Sequence, residues 1–284
     1  MERVPFTFSH PAAVLPLLRA GRGRGPLIAS GLVAGSLAPD LPFFLDSPLP
    51  GVYGLGRYTH RGWAVPTLDV ALAAGLAGAW YGVLREPTVA LLPGALADKV
   101  DALTGPARKP QDLIPADAAW FAASAAVGAF THVGWDAFTH HGRWGERHWP
   151  TLGHRIGGRM PVYQALQWTS SALGLAVLAV AARRTLAATP PAPTAEVAPA
   201  RRQRATGLGV VAAATVLGAA HRLRRDAARH PGRRPSGNDL VGSVTFGGGA
   251  GAALGAAGWA LSALRSTRAS NMTDREREPA PWRG

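Results

Sequence analysis

Thr131-His132-Val133-Gly134-Trp135-Asp136-Ala137-Phe138-Thr139-His140-His141 closes one of the longest apolar segments of the chain. Its polar residues His132, Asp136 and His140 recur every four positions. At about 3.6 residues per turn, that spacing puts all three on one helical face. An apolar helix with one stripe of imidazole and carboxylate needs an explanation. Ionisable groups at membrane depth are costly and usually mark function.

Composition supports a membrane setting. Of the 284 residues 47% are apolar and only 17% charged, below the roughly 25% charged of soluble domains. The net charge of +13 comes mostly from Arg. The arginines lie between apolar blocks, as they do in loops flanking membrane spans, and nucleic acid is not the main partner they imply. With no cysteine, disulfides, thiolate-held zinc, iron–sulfur clusters and thiol catalysis are excluded. Pro5, Ser9, His10 and Pro11 interrupt the N-terminus where a cleavable signal peptide would be apolar.

Working outward, residues 117–140 are long enough to span a bilayer, which takes about 20 residues. So are residues 63–84, with Trp63 at one end, Trp80 and Tyr81 at the other and Asp69 in the first turns. Before them, 1–20 and 26–38 read as short packing helices. Pro39-Asp40-Leu41-Pro42 ends the second, and a Pro/Gly-rich loop leads to Tyr58-Thr59-His60-Arg61. After them, 162–182, 205–220 and 239–264 read as three further spans. The expected fold is an all-α polytopic membrane bundle of about five transmembrane helices plus short N-terminal packing helices. Its expected parts are a helical domain over 1–182, a Pro/Ala-rich basic linker over 183–204, a helical pair over 205–265 and a disordered tail over 266–284.

If 63–84 and 117–140 both cross, they are antiparallel. His60 then shares a face with His132, Asp136 and His140, and the short N-terminal helices can bring His10 and Asp40 to it. Imidazole and carboxylate are the usual ligands of zinc, iron and manganese where thiols are absent. Each residue also has a structural use. His10 can cap a helix, Asp40 can serve a turn, and Asp69 can pair with Arg57 or Arg61. His132, Asp136 and His140 can form a hydrogen-bonded stripe with no ion. His141, His148 and His154 lie in a polar loop and read as solvated surface. Eight residues on a helix rise about 12 Å, so one ion cannot easily take both His132 and His140. His132 and Asp136 are the surer pair, with His140 supporting them or holding a second ion.

Pro5 to Ala13, Gly35 to Asp40, Tyr58 to His60 and Thr131 to His140 together resemble the motifs of a bacterial family of uncharacterised membrane proteins, a domain of unknown function. The likeness covers roughly residues 4–180. It is similar in turn to the LexA-binding, inner-membrane-associated metal-dependent hydrolases. The resemblance implies His10, Asp40, His60, His132 and Asp136 as ligands, and Arg61-Gly62 departs from the family pattern.

The expected function is a metal-dependent hydrolase of the cell membrane, with zinc the first choice of ion. It would act on an ester or phosphoester, and a lipid-like substrate fits a site at the interface. Asp136 or Asp69 would be the general base, and Arg61, Arg143 or Arg147 would bind a phosphate. The alternative is a transporter or ion-handling protein using the same cluster. A scaffold binding anionic lipid leaves the clustered His and Asp unexplained.

Overall fold

The computed structural model describes residues 7–105, 114–190 and 201–262, and their regular structure is almost entirely helical. Pro11 and Pro16 each lack an amide hydrogen, and the segment that holds them, Thr7–Leu17, winds as a 3-10 helix. Short helices follow: α1 (Ala29–Leu37), α2 (Leu41–Leu45) and α3 (Gly56–Thr59). A 3-10 turn, Ala38–Asp40, joins α1 to α2. Next come α4 (Leu68–Ala79), α5 (Arg85–Ala90), α6 (Gly94–Thr104) and the long α7 (Pro115–Thr139). A short α8 (Trp144–His148) leads to α9 (Val162–Ala188), α10 (Arg201–Arg229) and α11 (Gly237–Ser262). Two antiparallel hairpins of two-residue strands pair Leu18–Arg19 with Arg22–Gly23 and Arg155–Ile156 with Met160–Pro161.

Small residues let α1 and α7 pack backbone to backbone. A Cβ on Gly35 would sit 2.1 Å from the carbonyl oxygen of Ala125, and one on Gly128 2.2 Å from that of Leu32. No larger residue fits either place without moving a helix. Ala34, Ala38, Ala73 and Ala125 form the buried cluster at this contact, with α4 packed against it. The contact fixes where α7 presents its polar stripe.

Among the described residues, three helices are long and apolar enough to cross a membrane: Val162–Ala188, Arg201–Arg229 and Gly237–Ser262. The expectation of five spans is corrected on two counts. Residues 63–84 are not one helix: residues 61–67 wind as turns, and the regular helix Leu68–Ala79 has 12 residues. Twelve residues rise about 18 Å, short of a hydrocarbon core of about 30 Å. A π-turn, Trp80–Leu84, then leads into Arg85 and Glu86. The second count concerns residues 117–140. Helix α7 is long enough at 25 residues, but it is not among the helices apolar enough to cross. The three remaining helices extend beyond their expected bounds, α10 most of all. The expected basic loop over 221–237 is helical as far as Arg229. Leu173, Val216, Leu217 and Leu254 are each more than half exposed, which gives these helices apolar outer faces. The expected tail over 266–284 and residues 191–200 of the expected linker lie outside the described residues, while 183–188 and 201–204 of that linker are helical.

Side chains from α10 and α11 dock on the N-terminal block. Phe246 packs between Phe43 and Phe44. Arg222 donates to the carbonyl of Phe43 at 2.8 Å. Arg225 ion-pairs with the buried Asp46.

Candidate metal centre

Asp40, His60, His132 and Asp136 meet in the interior, each no more than 5% exposed. Asp40 ends the 3-10 turn after α1, His60 follows α3, and the other two lie one turn apart on α7. One ligand atom from each residue lies within 4.8 Å of the other three. Nε2 of His60 is 3.4 Å from Asp40 Oδ1 and 3.2 Å from Asp136 Oδ2. Nε2 of His132 is 3.5 Å from Asp40 Oδ1 and 3.7 Å from Asp136 Oδ2. Ligands held at about 2.05 Å in a tetrahedron are separated by about 3.3 Å. The four distances fall close to that edge.

Hydrogen bonds to the main chain aim the imidazole donor atoms. Nδ1 of His60 lies 2.8 Å from the carbonyl of Gly56, and Nδ1 of His132 lies 2.7 Å from that of Ser36. A carbonyl only accepts, so each Nδ1 carries the hydrogen and each Nε2 is the atom left for the site. Thr7 donates to the second oxygen of Asp40. His60 Nε2, His132 Nε2, Asp40 Oδ1 and both oxygens of Asp136 are buried with no hydrogen-bond partner. Buried polar atoms are rarely left so. Two imidazoles and two carboxylates suit a divalent ion, whose charge the carboxylates neutralise. This is a buried Asp/His group able to bind metal.

Electrostatics tie the group together. Burial opposes charge on Asp40, but His132 and His60 outweigh it and hold the carboxyl well below its usual range. Burial likewise opposes a charged His60, and the carboxylates of Asp136 and Asp40 beside its Nε2 raise its pKa regardless.

The other expected site residues take distinct places. His10 stacks on His132, ring centres 3.7 Å apart, with Nε2 3.6 Å from Asp136 Oδ1. Burial, reinforced by the neighbouring His132, lowers its pKa to about 3, so it is a neutral imidazole. His140 approaches the other side of Asp136, with Nδ1 3.4 Å from Oδ1. Its Nε2 meets Gln167 of α9 at 2.7 Å. Asp69 is fully buried on α4, and neither of its oxygens has a hydrogen-bond partner. Burial raises its pKa to about 6 against the pull of His60 and His132. Arg61 is exposed and Arg143 half-buried, and the ion-pair partners of Asp40 and Asp136 among the described residues are histidines. His141 and His148 are exposed, His141 paired with Glu146.

Sequence reasoning missed Thr7, Gln167 and the two carbonyls that orient the imidazoles. Main-chain carbonyls carry no residue signal. It also missed Arg222, Arg225 and Arg229, although their spacing puts them on one face of a continued helix.

No curated protein and no solved structure matches the chain. The family described as a domain of unknown function (DUF4184) matches residues 4–258, a stretch that holds every residue of the centre as well as α9 and α10, and the chain belongs to that family.

Proposed function

We propose that this is a metal-dependent hydrolase of an ester or phosphoester, built at one face of a multi-pass protein of the cell membrane, with zinc as its ion. The observation that carries the reading is the set of four buried donors at tetrahedral separations, two of them aimed by carbonyl bonds. A bound divalent ion supplies Lewis acidity and acidifies water towards neutral pH. His60, His132, Asp40 and Asp136 would hold it. Asp69 is not among these ligands, and its pKa of about 6 suits a general base working near neutrality. Asp136 reaches both ways, Oδ2 towards His60 and Oδ1 towards His140, so it can pass a proton outward as well as ligate. His10 closes the centre against water on the His132 side. The resemblance to membrane-associated metal-dependent hydrolases supports the reaction class.

The test is metal analysis of the detergent-purified chain, paired with ester and phosphoester hydrolysis after zinc loading. Stoichiometric metal in the wild type, lost in His132→Ala and Asp136→Ala together with hydrolysis, is the expected result. Equal metal content in all three proteins overturns the site. Full metal with no hydrolysis of either substrate class overturns the enzyme and leaves ion handling as the reading.

A further inference from the structure

A cavity of about 660 Å³ lies beside the metal centre, and apart from His140 its lining takes no part in the reaction proposed above. It opens where α9 begins, α10 ends and α11 begins, so all three membrane-length helices put it at one face of the bundle. His140 and Gln167 line it. The same two residues line the cleft that holds His10 and Asp136. Their 2.7 Å contact is therefore the partition between cavity and centre.

The cavity wall is a receptor for an oxyanion. Arg222 is 5% exposed, and its guanidinium stacks over the rings of Tyr53 and Phe246. Both of its hydrogen bonds, to the Phe43 carbonyl and the Ser47 hydroxyl, leave from Nη1. Nε and Nη2, the edge that grips an oxyanion with two parallel bonds, make none among the described residues. Arg229 lies two turns further along the same face of α10 and makes no ion pair with a described residue. Two of the acids in the wall are already matched, Asp46 by Arg225 and Asp239 by Arg233. Arg222 and Arg229 thus offer two positive charges against Asp226 alone. Such a pair suits a doubly charged phosphate monoester better than a singly charged carboxylate.

We infer that this cavity binds the phosphate of a phosphate monoester and presents its ester bond to the metal centre past His140 and Gln167, an assignment that rests on the hydrolase reading. The phosphate can belong to a lipid headgroup at the membrane face or to a soluble ester.

The probe is inorganic phosphate, titrated by calorimetry into the full chain in detergent after the metal has been chelated. Arg229→Ala and Arg222→Lys are expected to weaken binding about 10-fold or more each. Arg229 is exposed, so its variant folds even if Arg222→Lys does not. His132→Ala is expected to lose metal yet bind phosphate as the wild type does, which separates the cavity from the centre. Unchanged phosphate affinity in Arg229→Ala, or no phosphate binding by the wild type, overturns the inference whatever the metal analysis gives. Arginine-dependent phosphate binding in a protein that takes up no metal upholds the cavity and sinks only the hydrolase. Displacement of phosphate by phosphatidic acid vesicles, and not by phosphatidylcholine vesicles, assigns the lipid source. Failure of both vesicles to displace it assigns the soluble ester.

Discussion

Nδ1 of His132 lies 2.7 Å from the carbonyl oxygen of Ser36, across 96 positions of sequence. The bond exists because α1 and α7 touch through glycine. Replacing Gly128 with Ala puts a methyl 2.2 Å from the Leu32 carbonyl and 2.7 Å from the Ser36 amide. Overpacking of that kind costs about 1–3 kcal/mol, and relief requires α7 to move away from Ser36. Gly128→Ala should therefore lower both the melting temperature and the metal content. Gly134→Ala, with nothing within 4 Å on the same helix, should lower neither. A Gly128→Ala protein with full metal and an unchanged melting temperature would show that the glycine contact does not position the site.

Thr7 sits behind the centre rather than in it. Its hydroxyl donates to Oδ2 of Asp40 while Oδ1 faces His60 and His132. Partners of this sort typically set metal affinity by a factor of about 10–100. Thr7→Val keeps the volume and removes the donor. It is expected to weaken zinc binding within that range, measured by competition with a chelator, without changing the number of ions bound. Wild-type affinity in Thr7→Val would remove Thr7 from the site.

What could be read from the chain follows the range over which its signals act. The His132–Asp136 pair is local, and a helical period displays it directly. His60 reaches the pair by a different route from the one the sequence suggests. Two antiparallel crossings over 63–84 and 117–140 would bring it there, with Asp40 carried by the short N-terminal helices, whereas the structure relies on the α1–α7 glycine contact and the turn at Asp40. The short polar break before Leu68 defeats the first crossing, and hydropathy over a long window smooths such a break away. The end of α10 was illegible for the opposite reason. Arg222 and Arg225 read as part of a charged loop because their partners Phe43, Ser47 and Asp46 lie about 180 positions earlier.

Metal binding should strengthen as pH rises. An ion needs the unprotonated Nε2 of His60, and the neighbouring carboxylates of Asp136 and Asp40 raise its pKa above the usual imidazole value. Binding must therefore release a proton over the range up to that raised pKa, and zinc affinity falls as acid restores the proton. His10 contributes nothing to this slope, because with a pKa lowered to about 3 it is already neutral. His10→Ala should leave the pH dependence of zinc affinity unchanged even if affinity itself drops. A zinc affinity that does not vary between pH 5 and 8 would mean that His60 carries no proton for the ion to displace.

Asp46 and Arg225 hold the C-terminal helices to the metal-bearing block. Asp46 is 1% exposed and Arg225 14%, so water screens the pair poorly. Oδ1 of Asp46 is already used on the amides of Gly51 and Tyr53, at 2.9 and 3.2 Å. Arg225→Ala therefore leaves a buried carboxylate with its two amide donors but without its ion pair. Breaking a buried pair from one side costs about 3–5 kcal/mol. The variant should melt well below the wild type in detergent. Asp46→Asn in the same chain should recover part of the loss, because the stranded group is then neutral. Metal content at low temperature should persist in Arg225→Ala, since Asp40, His60, His132 and Asp136 all precede α9. Equal melting temperatures for Arg225→Ala and the wild type would mean that the Arg222 bonds and the Phe246 contacts hold the C-terminal helices without this ion pair.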